Sequence, residues 1–312
     1  MNIFKRQGLI YKVTNNHQSM QSHCQVPFAI KTDDTTIRIY FATRDSRQRS
    51  VTAFIECDIE NPKMVKYVHP EPSLELGKMG NFDDSGSMPS WFIRNGTDIF
   101  LYYSGWNAGG SVPYRLGIGL AISTNGGVTF DRYSDGPILD RSIYDTSWCA
   151  QPCVMKEMDK WRMWYLSCSK WEIINDHPEP FYNVKYAESK DGIYWERTGD
   201  ICLDFDDVTD AIGRPVVIFE NDIYKMFYSY RRATGYRTDP DNSYRLGYAE
   251  SLDGVTFTKK NHLFDIIGKR DEWESVMNEY CHIYEHNHKR YLIYNGDGFG
   301  KSGFGYAIAD IE

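Results

Sequence analysis

The ten residues YAESKDGIYW at Tyr186–Trp195 recur in closely similar form as YAESLDGVTF at Tyr248–Phe257. Each copy closes a longer unit, which begins with a proline, continues through two strand-like segments separated by a polar turn, and then has a loop of variable length. The unit is present five times, and its leading positions are Pro27, Pro89, Pro152, Pro215 and Tyr280, at intervals of 62, 63, 63 and 65 residues. A repeat this regular indicates a fold built from equivalent units.

The residues within each unit predict β-structure. Apolar and polar residues alternate with period two, and the pairs Asp191-Gly192 and Asp253-Gly254 are typical of tight hairpin turns. We therefore predict an all-β fold, a five-bladed β-propeller with about four antiparallel strands per blade, in which residues 1–312 form a single domain. The N-terminal segment GLIYKV is expected to add a strand to the last blade and so close the ring.

The repeated ten-residue segment itself is interpreted as scaffold. Glycine tolerates a positive φ, so Asp191 and Asp253 are expected to be turn residues rather than catalysts. The aromatic residues that follow the turns, Phe130, Trp195 and Phe257, are expected to anchor neighbouring blades. Function is then expected in residues that do not repeat.

Composition narrows the classes of partner. The 312 residues carry a net charge of -8, which argues against nucleic-acid binding, and no apolar run is long enough to span a bilayer. The N-terminus lacks a signal-peptide pattern, which predicts a cytoplasmic protein, and seven irregularly spaced cysteines favour free thiols. The residues His23, Cys24, Cys149, Cys281 and His282 lack zinc-motif spacing, so we expect neither a metal nor a cofactor.

In a propeller, the inner strands begin around a central funnel, and the loops at that end form a natural binding pocket. The residues directly before the leading positions, Val26, Met88, Gln151, Arg214 and Glu279, are expected to face it. We predict substrate binding by residues at or near these positions and on the connecting loops: His23, Gln25, Arg44, Asp45, Trp106, Trp148, Gln151, Trp171, Arg214, Arg231, Asn278 and Asp297.

The repeated segment and the proline-led inner strand make the chain resemble the five-bladed glycoside hydrolase superfamily, which includes families 32, 43, 68 and 130. The resemblance covers all five units and implies a carbohydrate or sugar derivative as the ligand. The sequence departs from the family 43 pattern, because Val26, Gln151 and Gly213 stand where that pattern has its catalytic acids.

Other acids are available for catalysis by paired carboxylates. We predict Glu279 as the proton donor and Asp84 or Asp210 as the base, since glycosidases use one carboxyl as acid and another as base or nucleophile. Asp84 and Asp210 could instead support turns, and Glu279 could pair with Arg214, which would equally suit a carboxylated or phosphorylated sugar.

The sequence leaves the reaction open. Hydrolysis, with retention or inversion, glycosyl transfer and phosphorolysis are all compatible with these residues. Phosphorolysis would require arginines to hold phosphate. The alternative class is a non-catalytic saccharide-binding propeller, or a non-hydrolytic enzyme of polysaccharide biosynthesis.

Overall fold

The computed structural model describes residues 2–15 and 17–311, and nearly all of its regular structure is β. The first half of the chain contains β1 (Asn2–Tyr11), β2 (Ser22–Lys31), β3 (Thr36–Arg44), β4 (Ser50–Asp58), β5 (Val65–Val68), β6 (Gly86–Asn95), β7 (Asp98–Ala108), β8 (Tyr114–Ser123), β9 (Asp131–Arg132), β10 (Trp148–Lys156) and β11 (Trp161–Ile174).

The second half contains β12 (His177–Ser189), β13 (Trp195–Glu196), β14 (Ile201–Leu203), β15 (Ala211–Glu220), β16 (Ile223–Arg231), β17 (Arg245–Ser251), β18 (Thr258–Lys259), β19 (Phe264–Ile267), β20 (Glu279–His286), β21 (Lys289–Asn295) and β22 (Phe304–Asp310). Short 3-10 helices lie at Asn261–Leu263 and Glu272–Glu274, and one four-residue helical turn lies at Asp297–Gly300. None of the helices described in residues 2–15 and 17–311 is long and apolar enough to span a membrane.

The strands form five antiparallel blades, as the repeat predicts. Blade 1 contains β2 to β5, blade 2 contains β6 to β9, blade 3 contains β10 to β14, and blade 4 contains β15 to β18. Blade 5 contains β20, β21 and β22, followed by β1 and then β19. The inner strand β2 contacts both β6 and β20, while β10 contacts β6 and β15, and β15 contacts β20. The five inner strands therefore surround a common axis.

The N-terminal strand completes the last blade. β1 pairs antiparallel with β22, with Lys5 opposite Ile308 and Leu9 opposite Gly305. On its other side β1 pairs in parallel with β19, which belongs to the connection between blades 4 and 5. The prediction that the N-terminal segment closes the ring is confirmed. Joining the two ends of the chain in one sheet covers edges that would otherwise be open.

The hydrophobic core is divided among the five interfaces between blades. Each of the five buried clusters combines residues from two consecutive blades, including the cluster between blades 5 and 1. Phe28 and Tyr40 of blade 1, for example, pack with Phe92 of blade 2, and Tyr40 stacks on Phe92 at 4.2 Å between ring centroids. Aromatic residues, which make up 15% of the chain, therefore contribute to the packing between neighbouring blades.

The repeated segment joins each blade to the one before it. The turn carbonyls of Gly127, Gly192 and Gly254 accept hydrogen bonds from Tyr40 Oη, Tyr102 Oη and Trp164 Nε1 of the preceding blades, each at 2.7 Å. Within the turns, Asp191 and Asp253 accept hydrogen bonds from two following backbone N–H groups each. The scaffold interpretation of the segment is confirmed.

Four of the five inner strands contain a β-bulge with a left-handed residue. The bulge in blade 5 shows that the predicted register of that blade is wrong. Val26, Gln151, Arg214 and Tyr280 all have a left-handed φ, between 37° and 54°, at the site of the bulge. The residue that corresponds to the leading prolines in blade 5 is therefore Cys281, not Tyr280. Glu279 corresponds to Gly213 and Ala150, and the counterpart of Arg214 is Tyr280 rather than Glu279.

Side chains from a neighbouring blade hold the strained bulges in place. The backbone N–H of Gln151 donates to Ser104 Oγ, and that of Tyr280 donates to Ser229 Oγ, each at 2.8 Å. The N–H of Arg214 donates to Gln151 Oε1 at 2.9 Å, and Val26 donates to Asn295 Oδ1 at 3.1 Å. A left-handed non-glycine residue costs on the order of 1 kcal/mol or more, and these bonds offset part of that cost.

Candidate functional site

All five blades contribute to one central cavity of about 370 Å³. The sequence predicted six of its lining residues: Gln25, Arg44, Trp106, Trp148, Gln151 and Arg231. Met88, also expected to face the funnel, lines the cavity as well. The location of the site at the inner ends of the blades therefore agrees with the sequence analysis.

Two arginines approach the cavity from opposite sides of blade 5. Arg44 ends β3 in blade 1, where its Nε donates to Gln25 Oε1 at 3.0 Å and its Nη1 donates to Gln48 Oε1 at 3.3 Å. Arg231 ends β16 in blade 4 and is 2% exposed. The hydrogen-bond partners of both guanidinium groups are neutral, so their positive charges are available to a bound anion.

The guanidinium of Arg231 is fixed by tyrosines and carbonyls. Its Nε donates to Tyr244 Oη at 3.1 Å, and its other nitrogens donate to the carbonyls of Arg232 and Pro180. It also lies 3.9 Å from the centroid of the Tyr236 ring. This arrangement holds the charge rigidly at the cavity wall, because the planar group is restrained both in its plane and from one face.

Glu279 is buried next to the cavity-lining residue Tyr280 and interacts electrostatically with both arginines. It begins β20, and burial raises its pKa to about 8, although the hydrogen bond from Asn295 and the charges of Arg231 and Arg44 oppose this. Asn295 Nδ2 donates to Glu279 Oε1 at 2.8 Å, while Oε2 has no partner among the described residues. The carboxyl is therefore mostly protonated at neutral pH and can donate a proton.

Glu279 is 0% exposed, and several of its electrostatic interactions are with side chains that line the cavity. It interacts with Arg44, Arg231, Tyr244 and Tyr280, and all four of these side chains line the cavity. The Glu279 carboxyl therefore lies behind side chains that line the cavity and is not itself part of the lining.

Three tyrosines of the cavity, none of them predicted as site residues, are linked through their hydroxyl groups. Tyr182 and Tyr244 place their hydroxyls 2.5 Å apart, and Tyr280 Oη donates to Tyr244 Oη at 3.5 Å. All three line the cavity. Tyr280 could have been found from its position next to Glu279, and Tyr182 and Tyr244 from their equivalent positions, each four residues before the repeated segment.

The rim of the cavity on the blade 3 and blade 4 side contains an ion pair. Arg237 Nη1 and Nη2 donate to Glu179 Oε1 and Oε2 at 2.5 and 3.4 Å, and Tyr236 Oη donates to Glu179 Oε2 at 3.0 Å. Glu179 belongs to the long hairpin of β11 and β12, whereas Tyr236 and Arg237 belong to the loop between β16 and β17. The pair attaches this loop to the hairpin and neutralises Arg237.

The predicted bases Asp84 and Asp210 both support loops. Asp84 Oδ2 accepts a hydrogen bond from the N–H of Gly80, and its Oδ1 accepts one from Ser85 Oγ. Asp210 Oδ2 accepts a bond from the N–H of Ala233 at 2.7 Å and pairs with Arg232 at 3.3 Å. Among the residues described, 2–15 and 17–311, no carboxylate lines the cavity. Pairing of Glu279 with either aspartate stays a prediction that this geometry does not favour.

Other predicted binding residues lie around the cavity without lining it. Asp45 and Asp297 each accept two backbone N–H bonds within loops, and Asn278 Nδ2 donates to Glu274 Oε2. Trp171 Nε1 donates to Ser147 Oγ. His23 lies near Arg44, and burial, followed by the charge of Arg44, lowers its pKa to about 4. Its imidazole is therefore neutral at pH 7.

Arg214 is enclosed below the cavity instead of facing it. It is 1% exposed, and its Nη1 donates to the carbonyl of Tyr280 at 3.1 Å. Burial lowers its pKa to about 10, and its Nε and Nη2 have no hydrogen-bond partner among the described residues, Glu279 included. The predicted alternative of a bridge between Arg214 and Glu279 is wrong, because the left-handed bulge aligns Arg214 with Tyr280.

The described residues contain no candidate metal site. No group of three or more histidine, cysteine, aspartate or glutamate side chains in the described residues could hold a metal ion. The seven cysteines are buried and free.

Relatives of the chain were found by sequence. No family model matches it. The chain is 30% identical over 308 residues to the uncharacterized protein Rv1502 of Mycobacterium tuberculosis, an alignment that covers 98% of this chain and 99% of the mycobacterial protein. The chain belongs to the Rv1502 family. The alignment therefore spans almost the whole five-blade repeat of this chain.

Solved structures share the fold of this Rv1502 family member. A glycosyl hydrolase from Bacteroides ovatus has a TM-score of 0.72 at 16% identity, covering 98% of this chain and 93% of the other. A structure of GH130, a family of mannoside phosphorylases that contains glycoside hydrolases, gives 0.71 at 16% identity, covering 98% and 93%. The GH32 β-fructofuranosidase BmSUC1 of Bombyx mori gives 0.61 at 15% identity, covering 95% and 62%. The chain therefore shares the fold of these three proteins.

Proposed function

We propose that the protein cleaves a glycosidic bond in the central cavity, with Glu279 as the proton donor and inorganic phosphate as the acceptor of the glycosyl group. The observation that carries this proposal is the combination of one protonated acid with two arginines that lack carboxylate partners. Phosphate would occupy the position between Arg44 and Arg231. The likeness of the fold to a family that contains phosphorylases supports the same conclusion.

The proposed reaction needs only one carboxyl from the protein. A phosphate oxygen attacks the anomeric carbon, the bond from that carbon to the leaving oxygen breaks, and Glu279 gives its proton to that oxygen. The resulting carboxylate regains a proton from solvent or from the phosphate of the product. Hydrolysis would need a second carboxylate to activate water, and the described cavity lining offers none.

Arg44 and Arg231 interact both with the bound phosphate and with Glu279. A phosphate held by Arg44 and Arg231 gains charge-assisted hydrogen bonds, which are stronger than neutral ones. Their positive charges also stabilise the carboxylate of Glu279 after it has given up its proton. Enclosure of the site strengthens both interactions, because charges are screened less in a buried site than in water.

A second candidate function is binding of an anionic carbohydrate without cleavage. The complete burial of Glu279 favours this reading, because the carboxyl must reach the leaving oxygen through a local movement. The arginines would then bind the acidic group of the ligand itself.

Leaving-group dependence tests the acid. Release of alcohol from alkyl and 4-nitrophenyl glycosides should be measured with and without phosphate, for the wild type, Glu279→Gln and Asp84→Asn. We expect phosphate-dependent release, with Glu279→Gln slowing alkyl glycosides by about 10²-fold or more and 4-nitrophenyl glycosides much less, since nitrophenolate leaves without a proton.

Asp84→Asn separates the two mechanisms. The phosphate-dependent reaction predicts that this variant keeps its activity, whereas the paired-carboxylate reaction predicts a loss comparable with that of Glu279→Gln. Turnover that is independent of phosphate would overturn the proposal. Binding of the glycosides without any turnover would support the second candidate.

A further inference from the structure

The cavity has two chemically different sides. Blades 1 and 4 supply the arginines, Arg44, Arg231 and Arg237, while the adjacent blades 2 and 3 supply no charged residue to the lining. The apolar wall, as we name it, consists of Met88, Trp106, Tyr114, Leu116, Trp148 and Leu166. It lies across the axis from blade 5, where Glu279 is located.

The apolar wall is not simply the outer layer of the core. Met88, Trp106, Tyr114 and Leu116 are only partly buried, so apolar surface remains open to the cavity. Such surface inside a concave site is typical of contact with an apolar part of a ligand.

Polar atoms are sparse on this surface, although Trp148 Nε1 lacks a hydrogen-bond partner among the described residues. Trp106 Nε1 already donates to Ser50 Oγ at 2.8 Å, and the Tyr182 hydroxyl beside the wall is engaged with Tyr244. Met88, Leu116 and Leu166 offer neither strong donors nor an aromatic face on which a sugar ring could stack. Hydroxyl groups placed against them would lose hydrogen bonds to water without replacement.

We propose that the leaving group of the glycoside is an apolar aglycone, an aryl, alkyl or acyl group poor in hydroxyls, that binds against the apolar wall while the phosphate of the proposed reaction binds Arg44 and Arg231. This rests on the proposed function in assigning the arginines to phosphate and the apolar group to the leaving side of the scissile bond. The two-sided cavity then keeps the two reactants apart, because phosphate against the uncharged wall would lack a counter-charge.

Calorimetric titration of the full chain with three probes tests this inference. Inorganic phosphate reports on the arginines alone, phenyl phosphate adds an apolar group, and glycerol phosphate adds a hydroxylated one. We expect phenyl phosphate to bind at least about tenfold more tightly than glycerol phosphate, because only its ring gains from leaving water.

Two variants test whether the apolar wall causes the preference for phenyl phosphate over glycerol phosphate. Met88→Gln keeps the length of the side chain but adds polar atoms within the cavity, and it should reduce the preference for phenyl phosphate by about fivefold. Met155→Gln makes the same change at a half-buried site outside the cavity and should leave the preference unchanged. Melting temperatures confirm that both variants are folded, and Leu116→Asn provides a second test within the wall.

The outcomes separate this inference from the proposed function. Equal affinity for phenyl and glycerol phosphates would overturn the apolar aglycone, even if inorganic phosphate binds. Binding of phenyl phosphate without binding of inorganic phosphate would support the wall but count against the phosphate-dependent reaction. Failure of all three probes to bind would contradict both.

Discussion

Replacing Glu279 by glutamine is expected to change how the stability of the protein depends on pH. In the folded protein the carboxyl keeps its proton up to about pH 8, whereas the ordinary pKa of an exposed glutamate is 4.5. Between these values the unfolded chain releases a proton that the folded protein still holds, so the free energy of unfolding falls as the pH rises. The slope is about 1.4 kcal/mol per pH unit, which amounts to about 5 kcal/mol over the whole interval.

Urea denaturation of the wild type and Glu279→Gln at pH 5, 6, 7 and 8 measures this difference. Glutamine can keep the hydrogen bond from Asn295 and cannot ionise, so the variant should lose less stability than the wild type from pH 5 to pH 8. Glu272→Gln, on an exposed carboxyl, controls for the loss of one negative charge. Parallel pH curves for the wild type and Glu279→Gln would refute the claim that Glu279 is buried in its protonated form.

Three further predictions concern the site and the ring. Arg44→Gln should weaken the binding of inorganic phosphate by about 10- to 100-fold, measured by calorimetry, with an unchanged affinity counting against the anion site. Gly192→Ala should cost about 1–3 kcal/mol in urea denaturation, more than Gly126→Ala, because an added Cβ lies 2.7 Å from Tyr102 Oη at Gly192 and meets nothing within 4 Å at Gly126. Deletion of Asn2–Tyr11 should lower the melting temperature by at least about 10 °C, and an unchanged value would contradict closure by β1.

The fold could be predicted because the information that specifies it is repeated. The turn at Gly192 and the turn at Gly254 accept the same kind of hydrogen bond from the preceding blade, so similar residues recur at similar spacing. The register failed in blades 2 and 5, where the strand pairing aligns Ser90 and Cys281 with the leading prolines of the other blades.

The site was harder to predict because its residues do not repeat. Arg44 and Arg231 could be found, since each ends the second strand of its blade near the funnel. Tyr236 is held at the cavity by its contact with Glu179, 57 residues away in sequence, so no local pattern marks it.

The offset of Asp84 and Asp210 in their blades suggested paired catalysts, but sequence position does not show where a side chain points. Each carboxylate turns towards nearby backbone N–H groups and stabilises a loop.

The most direct test of the central claim is the identity of the product. Phosphorus-31 NMR of the protein incubated with a cleaved glycoside and inorganic phosphate distinguishes transfer to phosphate from transfer to water. We predict a new phosphate-ester resonance that grows with alcohol release and is strongly reduced with an alkyl glycoside in Glu279→Gln. Release of free sugar with no phosphate-ester resonance would contradict the account.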